Sequence, residues 1–140
     1  MLTRRSTLSL GLGAAAVTLV PLKASASLSP LDQAIADFTG GASVKDDGVT
    51  VIAPEIAENG ENVPVEIMAP GAVAIMILAP GNPTPQVVRA RFGEASGAPR
   101  LATRLRLGET QTVTAFAEMA DGSFKRGIAE VRVTIGGCGG

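Results

Sequence analysis

Apolar positions along the chain follow two periods, and each period predicts a kind of element. From Ser29 to Gly41 the spacing is helical: Ser29 can cap, Pro30 suits the first helical position, and Leu31, Ile35 and Phe38 fall on one face before Gly40 and Gly41 end the run. Beyond it the period drops to two. Val63, Val65 and Ile67 alternate with Pro64, Glu66 and Met68, the pattern of a half-buried strand, and Pro64 argues for an edge position because proline cannot donate to a ladder. Residues 72–79 are apolar on both faces, which predicts a central strand, and Pro80, Gly81, Asn82 and Pro83 supply a turn after it. Val88, Ala90 and Phe92 then alternate with Val87, Arg89 and Arg91. After a turn at Ser96 and Gly97, Leu101, Thr103, Leu105 and Leu107 alternate with Arg100, Ala102, Arg104 and Arg106, so both strands present one wet, basic face. Val113, Ala115, Ala117 and Met119 lead into a hairpin turn at Asp121 and Gly122, and Ala129, Val131, Val133 and Ile135 return from it. With residues 49–53 this makes about seven short strands, an all-β chain with the spacing of an antiparallel, immunoglobulin-like β-sandwich carrying a short N-terminal helix.

The first 26 residues do not belong to that pattern. Arg4 and Arg5, an apolar run from Leu8 to Val20, and a small-x-small site at Ala24, Ser25 and Ala26 read as an export signal that is cleaved. The paired arginines and the glycines at Gly11 and Gly13 favour the twin-arginine pathway over general secretion, and so a periplasmic protein. A run of about 13 residues is too short for a membrane anchor, which needs about 20. Of the 12 basic residues the signal holds Arg4, Arg5 and Lys23, so the mature chain keeps 9 against 13 acids, a formal charge of −4. Nothing in that balance suggests nucleic-acid binding.

Composition narrows the chemistry. At 140 residues, with no His, Trp or Tyr and one Cys, the chain has one modest core and lacks the usual base partner of a nucleophilic Ser or Cys. That single thiol, Cys138, stands among Gly136, Gly137, Gly139 and Gly140 directly after the last strand. Four glycines cannot pack around a side chain or hold a fixed backbone, so residues 136–140 are expected to form a flexible arm beyond a domain spanning 27–135. Burial of Cys138 is disfavoured, metal binding by one thiol without His is poor, and an intermolecular disulfide stays open as the alternative. No cation lies in the tail to stabilise a thiolate, so any activation of Cys138 has to come from a partner.

The segments 54–60 with Val63, Pro64 and Val65, Asn82 and Pro83 with Pro85, residues 103–107, Thr110 and Gln111, residues 121–124 and the ending from Val133 to Gly140 resemble the SoxY family, the carrier subunits of bacterial thiosulfate oxidation. The resemblance spans essentially the whole mature domain; Thr7 departs from the twin-arginine consensus, where Phe is usual. It implies a carrier without its own catalytic site or cofactor. In such a carrier Cys138 receives thiosulfate at a haem-containing conjugating enzyme as a cysteine S-thiosulfonate. A hydrolase then releases sulfate, and a molybdenum and haem dehydrogenase oxidises the remaining sulfane sulfur. It also implies a heterodimer with a SoxZ-like sandwich protein, and no membrane association after cleavage. On the residues alone, 54–60 is equally a loop that caps a strand, and Glu55, Glu58 and Glu61 are solvated loop charges rather than a carboxylate site. Arg89, Arg91, Arg104 and Arg106 could form one basic docking face or simply be solvated. The rival function from another class is an exported binding or adhesion module whose terminal Cys forms a disulfide.

Overall fold

The structure, a computed structural model, describes residues 27–134. One helix, α1 (Pro30–Thr39), precedes nine strands: β1 (Val44–Lys45), β2 (Thr50–Ile52), β3 (Ile56–Ala57), β4 (Val63–Met68), β5 (Ala72–Leu78), β6 (Gln86–Arg91), β7 (Arg100–Leu105), β8 (Gln111–Met119) and β9 (Phe124–Val133). The larger sheet runs β1-β9-β8-β5-β6, with β3 also paired to β9; the smaller runs β2-β4-β7. All pairs are antiparallel except β1 and β3 on β9. The seven expected strands are β2 and β4 to β9. The two-residue strands β1 and β3 show no alternation for a sequence pattern to catch.

Helix α1 forms where its signals stand. The Ser29 hydroxyl accepts from the Asp32 N–H at 3.1 Å, and Gly40 closes the last turn in the left-handed region at φ 63°, its N–H donating to the Ala36 carbonyl. Its apolar face, with Leu31, Ile35 and Phe38, covers Ala74, Met76, Leu78 and Phe116 on the outer side of the larger sheet. The inner side of that sheet, through Ile75, Ile77, Val113, Ala115 and Val131, packs against Val63, Val65, Ile67 and Leu105 of the smaller one. The molecule thus has three layers, and β5 is apolar on both faces because helix and second sheet each cover one.

Two expectations are corrected. Strand β4 is the middle strand of its sheet, not an edge. The Ala69 N–H donates to the Pro99 carbonyl, so odd-numbered residues of β4 turn their backbone groups toward β7 and Pro64 turns its missing donor toward β2. Strand β2 ends at the Ile52–Glu66 pair, short of Pro64, and the proline therefore breaks no bond. The four arginines do not share a face either. Residues 92–99 carry the chain from the larger sheet to the smaller, so Arg89 and Arg91 lie on the helix side, Arg89 with its guanidinium 5.2 Å from the Phe38 ring centre, whereas Arg104 lies on the outer side of the smaller sheet beside Pro64.

The chain passes from one sheet to the other between β1 and β2, and Gly127 of β9 lies under that crossing. A Cβ at Gly127 would run into the Val49 carbonyl oxygen, a backbone atom with no flexible end to give way. Gly127→Ala should therefore lose about 1–3 kcal/mol in chemical denaturation. Gly97→Ala, where a Cβ would meet nothing within 4 Å, should stay near wild type.

Candidate functional site

Strand β9 leads toward Cys138, so what holds its end decides where the thiol starts from. Strand β8 pairs with it from Glu118–Phe124 to Gln111–Val131 and then stops. One residue further, the Thr110 hydroxyl takes over, accepting from the Val133 N–H at 3.0 Å. On the other side β3 lies parallel, pairing Ile56 with Arg132 and Ala57 with Val133. There the Arg132 N–H donates to the Glu55 carbonyl at 2.9 Å and the Thr134 N–H to the Ala57 carbonyl at 3.1 Å, while the Thr134 hydroxyl donates to the Glu58 carbonyl at 3.4 Å. Both edges of the strand are thus tied down to its last described residue, and each tie removes a backbone group from solvent competition.

Beside this root lies an amide network centred on the buried Gln111. Gln111, 9% exposed, accepts from the Gly81 N–H at 2.9 Å and donates to the Asn82 side-chain oxygen and the Glu109 carbonyl, both at 3.1 Å. Asn82 in turn donates to the Arg106 carbonyl at 2.6 Å and accepts from the Gly108 N–H at 3.1 Å. Among the described residues no buried side-chain nitrogen or oxygen is left without a partner. A satisfied network of this kind fixes loops rigidly, whereas a half-satisfied one would cost stability. The segment 54–60 joins the same end of the sandwich, since the Gly60 carbonyl accepts from the Leu107 N–H at 2.7 Å.

These contacts bring residues 54–60, Asn82, Arg106, Thr110, Gln111 and Val133 to one pole. Segment 121–124 is at the β8–β9 hairpin, where Gly122 adopts φ 84° and the Ser123 N–H and hydroxyl both donate to Asp121. Those bonds hold the Asp121 carboxyl below its usual range. Asp46 is likewise lowered, by its hydrogen bond to Arg126 in the β1–β2 crossing, and Glu66 raises Arg100 on the smaller sheet. Glu55, Glu58 and Glu61 are exposed, and among the described residues no three acids, histidines or cysteines stand together as a metal site.

Cys138, Gly136, Gly137, Gly139, Gly140, Arg4 and Arg5 lie outside the described residues. Sequence reasoning missed Thr110 as the acceptor for Val133, and β3 as the clamp, although it read residues 54–60 as a strand-capping loop. A two-residue parallel pair has no periodic signal, and a hydroxyl's acceptor role depends on where the neighbouring strand stops.

The family described as Sulfur oxidation protein SoxY matches residues 35–138. Among solved structures, the sulfur carrier protein SoxY from Chlorobium limicola f thiosulfatophilum is 35% identical, covering 78% of this chain and 100% of its own, with a TM-score of 0.66. A superoxide reductase (neelaredoxin) from Ignicoccus hospitalis is 16% identical over 69% of this chain and 91% of its own at a TM-score of 0.54, a likeness of fold alone. No curated protein sequence matches significantly.

Proposed function

From a chain that belongs to the SoxY family of sulfur-oxidation carriers, we propose a specific role: a periplasmic protein, exported by its first 26 residues, that holds thiosulfate-derived sulfur covalently on Cys138. The observation that carries this reading is the doubly held end of β9. Thr134 is anchored at the pole and Cys138 follows four residues later, so the thiol stands no more than roughly 14 Å of chain from a fixed point.

Loading joins the Cys138 thiol to the outer sulfur of thiosulfate. Cys–SH and S₂O₃²⁻ give Cys–S–S–SO₃⁻, a proton and two electrons, and the electrons leave through the haem of a conjugating partner. Water then cleaves the S–SO₃ bond in a hydrolase, giving Cys–S–SH and hydrogen sulfate. While still on the carrier the outer sulfur is oxidised by a dehydrogenase, Cys–S–SH and three waters giving Cys–S–SO₃⁻, seven protons and six electrons that the dehydrogenase accepts. A second hydrolysis then gives Cys–SH and hydrogen sulfate. A SoxZ-like sandwich protein completes the carrier as a heterodimer.

Intact mass of the protein purified from cells oxidising thiosulfate, with a digest isolating the peptide from Val133 onward, tests this. An adduct of S₂O₃ or extra sulfur on that peptide, removed by reductant, is the expected result. An unmodified thiol or a symmetrical disulfide during active thiosulfate oxidation would instead favour a passive binding module.

A further inference from the structure

The two sheets leave one side of the sandwich open, between their edge strands β6 and β7. At the pole where β9 ends, this opening widens into a groove of about 680 Å³ lined by Pro83, Val87, Val88 and Leu105, with Arg104 and Arg106 on its rim. The register shift between Ile77 and Leu78 leaves Val87 as an extra residue on β6. That bulge is why Val87 and Val88 both pack toward the interior and make the groove wall apolar. On the facing edge, the Ala69 N–H bond to Pro99 and the Leu107 N–H bond to Gly60 turn the odd-numbered residues of β7 toward β4. The backbone groups of Ala102 and Arg104 therefore face outward, without a strand beside them.

Positive charge is concentrated along these two edge strands. Five of the nine cations among the described residues, Arg89, Arg91, Arg100, Arg104 and Arg106, stand on or directly after these two strands, in a domain with 13 acids. Arg91 and Arg100 are neutralised by Glu118 and Glu66, and Arg89 lies over Phe38. Arg104 has no carboxylate partner among the described residues. Arginines on an open edge also discourage indiscriminate strand pairing, which needs no groove. Here an apolar floor, an open backbone edge and an unpaired cation occur together, and they connect to the site: Asn82 binds the Arg106 carbonyl and Gln111, and the adjoining Thr110 holds Val133.

We propose that this groove docks an extended, acidic segment of the enzyme that loads sulfur onto the carrier. The segment adds to the outward edge of β7, places apolar side chains against Val87, Val88 and Leu105, and sets a carboxylate on Arg104. Seated there, the enzyme lies next to the pole from which residues 135–138 continue, so docking and delivery share one end of the domain. The identity of the loading enzyme rests on the carrier reading above; the groove does not.

The test pairs steady-state loading with an amide-resolved titration, using the purified haem-containing conjugating enzyme as the probe. Arg104 is exposed, so Arg104→Glu should fold. It should raise the KM for the carrier about tenfold, with kcat unchanged, and weaken the salt dependence of loading. Lys45→Glu, at the exposed end of β1, should leave both constants as they are. Adding the enzyme to ¹⁵N-labelled carrier should shift the amides of residues 86–88 and 102–106. Amide shifts confined to other surfaces, or an Arg104→Glu protein that loads like wild type, would overturn the docking proposal while leaving the carrier reading intact. Shifts at the groove with no mass added to Cys138 would do the reverse. If neither shifts nor adduct appeared, both would fall.

Discussion

Cys138→Ser is expected to reduce sulfur loading to background. Incubated with thiosulfate and the conjugating enzyme, the wild-type chain gains a reductant-labile adduct and the variant gains none. The loss should be complete because the sequence holds one cysteine and no second thiol can take its place. A serine hydroxyl is scarcely ionised at neutral pH, and oxygen in place of sulfur cannot form the S–S bond into which the two-electron oxidation places thiosulfate. The sandwich should be unaffected, since its core lies within residues 38–131 and the strand end is held by Thr110 and β3. The thermal midpoint of the variant should match wild type within error. An adduct persisting on the serine protein, or found on another peptide, would remove Cys138 from the proposed chemistry.

Most of the architecture was written in alternation. Val63, Val65 and Ile67 are buried and their neighbours are not, the two-sided run 72–79 contains the interior strand β5, and the helix lies between the cap and stop residues that announced it. Alternation does not say which sheet a strand joins. The arginines of β6 and β7 looked like one face because two adjacent strands with the same pattern read as a hairpin, yet the link at residues 92–99 carries the chain across the sandwich. Pro64 misled for a related reason. Its residue type excludes a donor on one side, but only the length of β2 decides whether any acceptor waits there.

The site divides in the same way. The lone thiol among glycines is visible in composition, because nothing else in the chain offers comparable chemistry. The scaffold beneath it is assembled from residues 23 to 76 positions apart, such as Thr110 with Val133 and Glu58 with Thr134, and no local pattern encodes such contacts. What the resemblance supplied as scattered segments, the fold collects: residues 54–60, Asn82, Arg106, Thr110 and Gln111 meet at the end of β9, while segment 121–124 serves a turn elsewhere. A sulfur carrier needs little more of its domain than a rigid anchor and a surface that partners can find, which is why an ordinary sandwich suffices.

That division of labour makes a second large effect separable from the first. Ile77 is fully buried one residue before the end of β5, paired with Val88 on one side and Ala115 on the other. Ile77→Ala removes three carbons from the interface between the sheets, where the surrounding strands can relax only partly. The loss should be about 2–5 kcal/mol, the sum of lost transfer energy and the cavity left behind. For a domain of this size that lowers the thermal midpoint on the order of 10 °C or more. Well below that midpoint, the fraction of folded protein that takes up sulfur should equal wild type, because the thiol and its anchor are untouched. Calorimetry and intact mass on the same samples check both halves. A core variant that stays folded yet fails to load would mean that the sandwich takes part in the chemistry rather than holding its place, and the anchored-carrier reading would have to be given up.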